Sequence, residues 1–369
     1  MSRYELWYTD PEGNRLELLD TTLGFEYVIT YGDIGACAIN MPHDTRRVYV
    51  EQSPDRRVHI WRGADNSILQ LDGIFFTRSW GNTTDINGFN SIALSGRDLN
   101  YLLDSRIVAY AAESSQAKKT DFIDDMMKEI FNENLLSGAT DTDRDLSGLN
   151  LSVSADLGDG DSITKSFAWR NVLAVLQGLQ QTSKALGTEV FFNIRATSPT
   201  SYIFETYTGQ PNNDRTITTG TNPLIFGTEF GNVINPFYSE NFIAERNYIY
   251  SGGRGQGSDR NIQEVEDTTR INQSVWNRKE GFINASGTTD ATVTAIGNEA
   301  LEANRPKKIF RATILSTPNT PYGGDGWRVG DKLTITYRNQ QFDVLVRSGH
   351  VKVDNRGRET IRARVENVS

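Results

Sequence analysis

Three runs in this chain place side chains at spacings that chemistry could use. Asp141-Thr-Asp-Arg-Asp145 sets carboxylates at alternate positions, as the opening of a calcium loop does. Such a loop needs Gly at its sixth position for the turn and Glu at its twelfth as a bidentate ligand. Leu146 and Ser152 stand there instead, so an exposed acidic loop is expected. Gly252-Gly-Arg-Gly-Gln-Gly257 has the glycine content of a phosphate cradle. It lies between two strand-like runs, Glu245–Tyr250 and Ile262–Glu266, with no helix after it and no Gly-Lys-Ser/Thr ending. A hairpin tip fits that setting better than an anion site. The third run, Ile34-Gly-Ala-Cys-Ala-Ile39, holds the single cysteine, Cys37, in an apolar strand-like context that suits buried filler rather than a reactive thiol.

The remaining candidates are thinner. His43, His59 and His350 are far apart and have no zinc-ligand spacing. The 47 acidic residues must contain some pair able to serve sugar hydrolysis, but nothing singles one out. No Ser or Cys sits in a recognisable nucleophile turn. The sequence therefore points to a protein with no catalytic residues, no metal and no cofactor, and attention moves to the elements themselves.

The chain has 369 residues, beyond the roughly 250–300 at which one core stops growing, so two or three domains are expected. Its apolar content of 37% is enough to fold. The longest apolar runs are far short of the ~20 residues that span a bilayer, and Met1-Ser-Arg-Tyr-Glu-Leu-Trp alternates like a first strand rather than a signal core. A chain made in the cytosol, with no cleavable export signal and no membrane span, is expected. Net charge is −9, a poor basis for non-specific DNA binding. It is uneven: residues 118–161 carry 11 acids and 4 bases, residues 305–369 carry 13 bases and 6 acids. In Ile361-Arg-Ala-Arg-Val365 the bases alternate with apolar residues, as on the solvent face of a strand. Opposite charge on two parts of one chain also suits contact between subunits.

Two stretches echo one another. Arg57-Val-His-Ile-Trp-Arg62 and Ile68–Trp80, then a polar loop and Asn90–Ser95, resemble Lys332–Tyr337 and Gln341–Val353, then a polar loop and Thr360–Val365. Each reads as a short strand, a turn, a long strand broken near Gly73 or Gly349, and a closing strand. Strands are also expected at Tyr4–Tyr8, Arg15–Leu19, Phe25–Tyr31 and Ala36–Asn40. Helical spacing of Phe122, Ile123, Met126, Met127, Ile130 and Phe131 predicts a core-facing helix capped by Thr120 or Asp121. Further helices are predicted over about 168–186, ended by Gly187, and about 291–304, stopped by Pro306.

One ordered series of short motifs is more specific: Tyr207-Thr-Gly209, Asp214-Arg-Thr216, Asn222-Pro-Leu-Ile-Phe226, Glu229-Phe-Gly-Asn232, Arg246-Asn247, Gly252–Gly257 with Arg260, and Arg278-Lys-Glu280. With Asp10-Pro-Glu-Gly-Asn-Arg15, Leu94-Ser-Gly-Arg-Asp-Leu99 and Leu102-Leu-Asp-Ser-Arg-Ile107, it resembles the siphophage minor tail proteins that form the central tail hub, or baseplate hub. The resemblance implies a homotrimer whose two β-barrel domains per subunit alternate around a pseudo-six-fold ring. It implies a distal-tail or tail-tube protein above, tip, fibre or spike proteins below, and a lumen for the tape-measure protein and passing DNA. It places the chain at the virion tail tip, assembled in the host cytoplasm.

The expected fold is thus α+β and mainly β, with two similar small β-barrel domains bearing helix-containing inserts. Residues 1–104 form the first barrel and 105–221 a helical or mixed insert. Residues 222–285 and 306–369 form the second barrel, with a short helical insert at 286–305. Gly253, Arg254, Gly255, Arg260, Arg328 and Arg347 are the candidate partner contacts. The basic 305–369 block is expected to face neighbouring subunits more than the channel. A receptor- or carbohydrate-binding tail-tip protein is the alternative, motivated by six Trp and 14 Tyr, with a cell-wall hydrolase behind it.

Overall fold

The computed structural model describes residues 3–43, 55–63, 68–110, 117–167, 169–285 and 289–367. The first strands are β1 (Arg3–Thr9), β2 (Arg15–Leu18), β3 (Gly24–Thr30), β4 (Ala36–Pro42), β5 (Arg57–Gly63), β6 (Gln70–Thr84) and β7 (Asn90–Asp98). After the short α1 (Tyr101–Asp104) come β8 (Ala117–Phe122), α2 (Ile123–Leu135), β9 (Leu151–Val153), β10 (Ser162–Phe167), α3 (Val172–Ala185), β11 (Val190–Ser198) and β12 (Ser201–Thr208). The chain continues through β13 (Asp214–Arg215), β14 (Ile225–Gly227), β15 (Val233–Asn241), β16 (Tyr248–Gly252), β17 (Ile262–Glu266), α4 (Thr268–Ile271), β18 (Glu280–Asn284) and α5 (Asp290–Ala303). It closes with β19 (Lys307–Leu315), β20 (Lys332–Tyr337), β21 (Gln340–Val353) and β22 (Glu359–Asn367).

A mainly β molecule results. Fourteen strands form one sheet in the order β15-β19-β22-β21-β3-β4-β7-β6-β5-β1-β2, with β20 on β21 and β13 and β14 on β20. Among the described residues no pairing closes either half into a barrel, so two separate closed barrels give way to one open path. The physical reason lies at β3: its outer edge pairs with β21 of the second half instead of returning to its own. One core accordingly serves both halves, with Tyr8, Ile39, Val58 and Ile60 packed in the same cluster as Trp327, Ile335, Val351 and Val365. Ile361, Ala363 and Val365 face that core while Arg362 and Arg364 stay exposed, as their alternation implies.

The expected echo is present, and its register is tighter than the sequence alone suggested. In the β6–β7 hairpin Thr77 faces Gly96 and Ser79 faces Ser95, with Arg78 bulged out between them. In the β21–β22 hairpin Val346 faces Val365 and Ser348 faces Arg364, with Arg347 bulged out. Both strands of both hairpins are related by a constant offset of 269 residues, and the turns match as well. The shared break is therefore the bulge at Arg78 and Arg347, and Gly73 and Gly349 are not equivalent. At one matched position the halves differ sharply, Gly96 against Val365. A Cβ on Gly96 would stand 2.8 Å from Cys37 Sγ and 2.9 Å from the Phe76 carbonyl. Gly96→Val is expected to cost about 1–3 kcal/mol by overpacking, read as a lower urea midpoint at unchanged slope.

The insert has its own core. Ile123, Met126, Met127, Ile130 and Phe131 of α2 are all buried against α3 and the β11-β12-β9 sheet. Thr120 and Asp121 do not cap α2, because both lie in β8 and pair with Thr164 and Ile163 of β10. Asn171 caps α3 by accepting the Ala174 N–H at 3.1 Å, and Gly187 ends it with φ +105°. α5 packs on a separate three-stranded sheet, β17-β16-β18, through Ile249, Val265, Ala300 and Leu301. Its cap, Thr289, accepts from Thr292 N–H. Residues 286–288 of the expected short insert lie outside the described residues. No described helix is long and apolar enough to cross a membrane.

Candidate assembly interface

The feature that organises the molecule is the join between its two halves. β3 and β21 run antiparallel from Thr30–Ser348 to Phe25–Val353. Beneath the join Phe25 and Tyr27 of one half pack with Val351 and Val353 of the other. At its edge sits a polar clamp. Arg62 of β5 donates to Glu359 of β22 at 2.9 Å, to the Tyr4 hydroxyl at 3.0 Å and to the Tyr322 carbonyl at 3.1 Å. Tyr4 donates in turn to Glu359. Tyr27 donates to Asp72 at 2.5 Å, and burial pushes the Asp72 carboxyl up against that bond. The Arg62–Glu359 ion pair and Tyr4 thus tie β1 and β5 to β22 and the 316–331 loop, and the Tyr27–Asp72 bond ties β3 to β6 beside them.

The six candidate contact residues fall in two places. Gly253, Arg254, Gly255 and Arg260 belong to the β16–β17 turn: Gly253 N–H donates to the Asn261 carbonyl at 2.7 Å and Gly255 has φ +104°. A Cβ there would come within 2.1 Å of the Asp259 carbonyl, which explains the glycine. Arg254 is exposed, whereas Arg260 lies over Phe282 and donates to Asn284 at 2.5 Å. Arg328 lies in the 316–331 loop ahead of β20, and Arg347 lies in β21 of the large sheet. Arg328 donates to Gln70 at 3.3 Å, across the join. Arg347 grips both oxygens of Glu189 at 3.0 and 3.1 Å and lies over Phe191, so the bulge docks the insert on the sheet. Burial works against the Glu189 charge, yet the two Arg347 bonds hold its carboxyl below the ordinary range. Its counterpart Arg78 pairs with Asp55 and lies over Tyr101 of α1.

The acidic run is occupied by its own backbone. Asp141 accepts the Asp143 N–H, Asp145 accepts the Ser147 N–H, and Arg144 reaches out to the Ile107 carbonyl at 2.6 Å. Sequence reasoning missed three exposed aromatics at the sheet's open edges: Trp80, Phe237 and Tyr238. No local signal marks them, since aromatic side chains at strand positions read as core until the fold leaves them exposed.

Two buried groups near these strands set opposing pH dependences. Burial pushes the Asp98 carboxyl from 3.8 up to about 7, against N–H bonds from Gly35 at 2.8 Å and Asn100 at 3.1 Å. Between those values the unfolded chain has lost the proton that the fold keeps, so this contribution to stability is lost as pH rises from 3.8 to about 7. Burial, with Arg57 and Arg15, takes His59 from 6.5 down to about 4. There the unfolded chain binds the proton first, so stability is lost as pH falls from 6.5 to about 4. The slopes oppose one another. The Asp98→Asn variant should unmask the His59 slope, losing up to about 3 kcal/mol over that range in urea titrations at stepped pH.

Similar folds occur among solved tail proteins. The 43 kDa tail protein of prophage MuSo2 from Shewanella oneidensis matches with a TM-score of 0.59 at 12% identity, over 98% of each chain. A tail protein from Neisseria meningitidis MC58 matches with a TM-score of 0.56 at 10% identity, over 99% of this chain and 96% of that one. Prophage tail protein gp18 from Listeria monocytogenes EGD-e matches with 0.54 at 10%, over 98% and 94%. No curated protein matches the sequence. The fold is that of phage tail proteins. Residues 3–365 match the family described as Siphovirus ReqiPepy6 Gp37-like protein, and the chain belongs to that siphophage tail family.

Proposed function

We propose that the chain is the structural hub at the distal end of a siphophage tail. Three copies form a ring in which six similar β units, two from each chain, alternate around the axis. The ring caps the distal tail or tail-tube protein, presents three-fold symmetry to tip, fibre or spike proteins, and encloses the channel for the tape-measure protein and then DNA. The observation that carries this reading is the pair of hairpins β6–β7 and β21–β22, alike in length, turn and bulge and joined edge to edge through β3. A single chain with two equivalent units lets a closed three-fold assembly offer six alike positions. Arg362 and Arg364 would then face the neighbouring subunit rather than the channel, since a basic lumen retains DNA. Arg254, at an exposed turn, remains a contact for a partner, and the clamped Arg260 and Arg347 would shape such surfaces from behind. Light scattering of the purified chain tests the reading: the mass of three chains is expected, and the mass of one chain would contradict it.

A further inference from the structure

We infer that the outer edge of β15 in one copy pairs antiparallel with the outer half of β6 in the next, repeating the β3–β21 join and closing the ring at three copies. The inference rests on the ring proposed above and names the edges and the register. β6 is matched to β21 by the 269-residue offset, so Ser79–Thr84 correspond to Ser348–Val353, the segment that β3 covers. β4 matches β19 through equal pairing with β7 and β22: Cys37 faces Gly96 as Ala312 faces Val365. β15 lies on β19 as β3 lies on β4, with Val28 facing Ala36 as Phe237 faces Arg311. β15 is therefore the second half's β3. Among the described residues, β15 ends the sheet path and no strand flanks the outer half of β6 opposite β7.

The register then follows from the join already present. Thr30–Ser348, Ile29–Gly349 and Val28–His350 translate to Ser239–Ser79, Tyr238–Trp80 and Phe237–Gly81 of the neighbouring copy. This contact covers Trp80, Phe237 and Tyr238, which are 48%, 54% and 37% exposed in the single chain. It sets two aromatics directly opposite one another, a favourable cross-strand pair. The Asn235–Pro236 bulge takes the position that Tyr27 holds in β3, so the pairing ends at Phe237–Gly81, because Pro236 has no N–H to donate to the ladder. One step beyond the Ser239–Ser79 pair, Glu240 comes beside the neighbour's Arg78, a complementary charge. The contact uses different patches on the two partners, and such head-to-tail contacts make closed rings or open filaments.

A chain carrying Ser79→Cys and Ser239→Cys tests the inference, because directly opposed strand positions lie within disulfide reach and the native Cys37 is buried. After mild oxidation, non-reducing electrophoresis should show most of the double variant as a three-chain species. A mixture of the two single variants should stop at two chains, and each single variant alone should stay uncrossed. Moving the second cysteine to Glu240→Cys should abolish the bond, since that side chain points to the other face. A chain that scatters as three copies but does not cross-link at this pair overturns the inference while leaving the ring intact. Self-linking of Ser79→Cys alone, or a ladder beyond three chains, also overturns it. A single-chain mass with no cross-link contradicts both the edges and the ring.

Discussion

Replacing Arg62 by Met is expected to lower the stability of the chain by about 3 kcal/mol, the cost of breaking a largely buried ion pair from one side. The Arg62 side chain is 8% exposed and Glu359 21%, so the carboxylate left behind is only partly hydrated. Glu359 keeps its bond from Tyr4, but the Tyr322 carbonyl loses its donor. Arg62→Lys should rescue little, because an ammonium cannot serve two carboxylate oxygens, a hydroxyl and a carbonyl in the fork geometry that Arg supplies. The reading behind this is that Arg62 couples the halves. A double-mutant cycle with Glu359→Gln should therefore show losses well short of additive. Strictly additive losses in urea titrations would mean that the two residues act separately and that the clamp is not a unit.

Lys128→Met is expected to cost a similar amount, about 3–5 kcal/mol, for a different reason. Lys128 and Asp124 are paired at 2.8 Å one helical turn apart in α2, and their side chains are 2% and 0% exposed. Lys128 also donates to the Ala155 carbonyl at 2.7 Å, while Asp124 accepts the N–H groups of Leu157 and Asp159 at 3.2 and 2.7 Å. The pair fastens the 155–159 loop, part of the acidic stretch 118–161, onto the insert core. Removing the cation leaves a buried carboxylate with backbone donors only. The loss should appear as a lower unfolding midpoint together with faster proteolytic cutting between 154 and 161. Asp124→Asn combined with Lys128→Met should recover part of it, because no unpaired charge then remains.

How much of this was legible in the sequence depends on the range of the interactions involved. Alternation is a local signal, and it located the strands at Tyr4–Tyr8, Phe25–Tyr31 and Ala36–Asn40, which the fold contains as β1, β3 and β4. The α2 stripe was equally plain because its apolar period is local too. The cap of α2 was not, since Thr120 and Asp121 are good cap residues that β10 claims for a ladder through long-range pairing. The echo of the two blocks was visible, but its register was not. Glycine drew attention to Gly73 and Gly349, whereas the shared kink is a bulge at Arg78 and Arg347 that composition does not mark. Partner choice at an edge is the least local property of all. Nothing in Phe25–Thr30 says that β3 will pair across the two halves, and that pairing is what turns two expected barrels into one sheet. The edges proposed for assembly were hidden for the same reason. Trp80, Phe237 and Tyr238 look like ordinary strand aromatics until the fold leaves them uncovered.

The proposed function depends on two equivalent units per chain meeting around a three-fold axis. Class averages of the purified protein by electron microscopy, viewed down the axis, test that directly. An annulus of six similar lobes with true three-fold symmetry is the expected image. Single particles, two-fold pairs, or three-fold rings whose two halves differ in shape would contradict it.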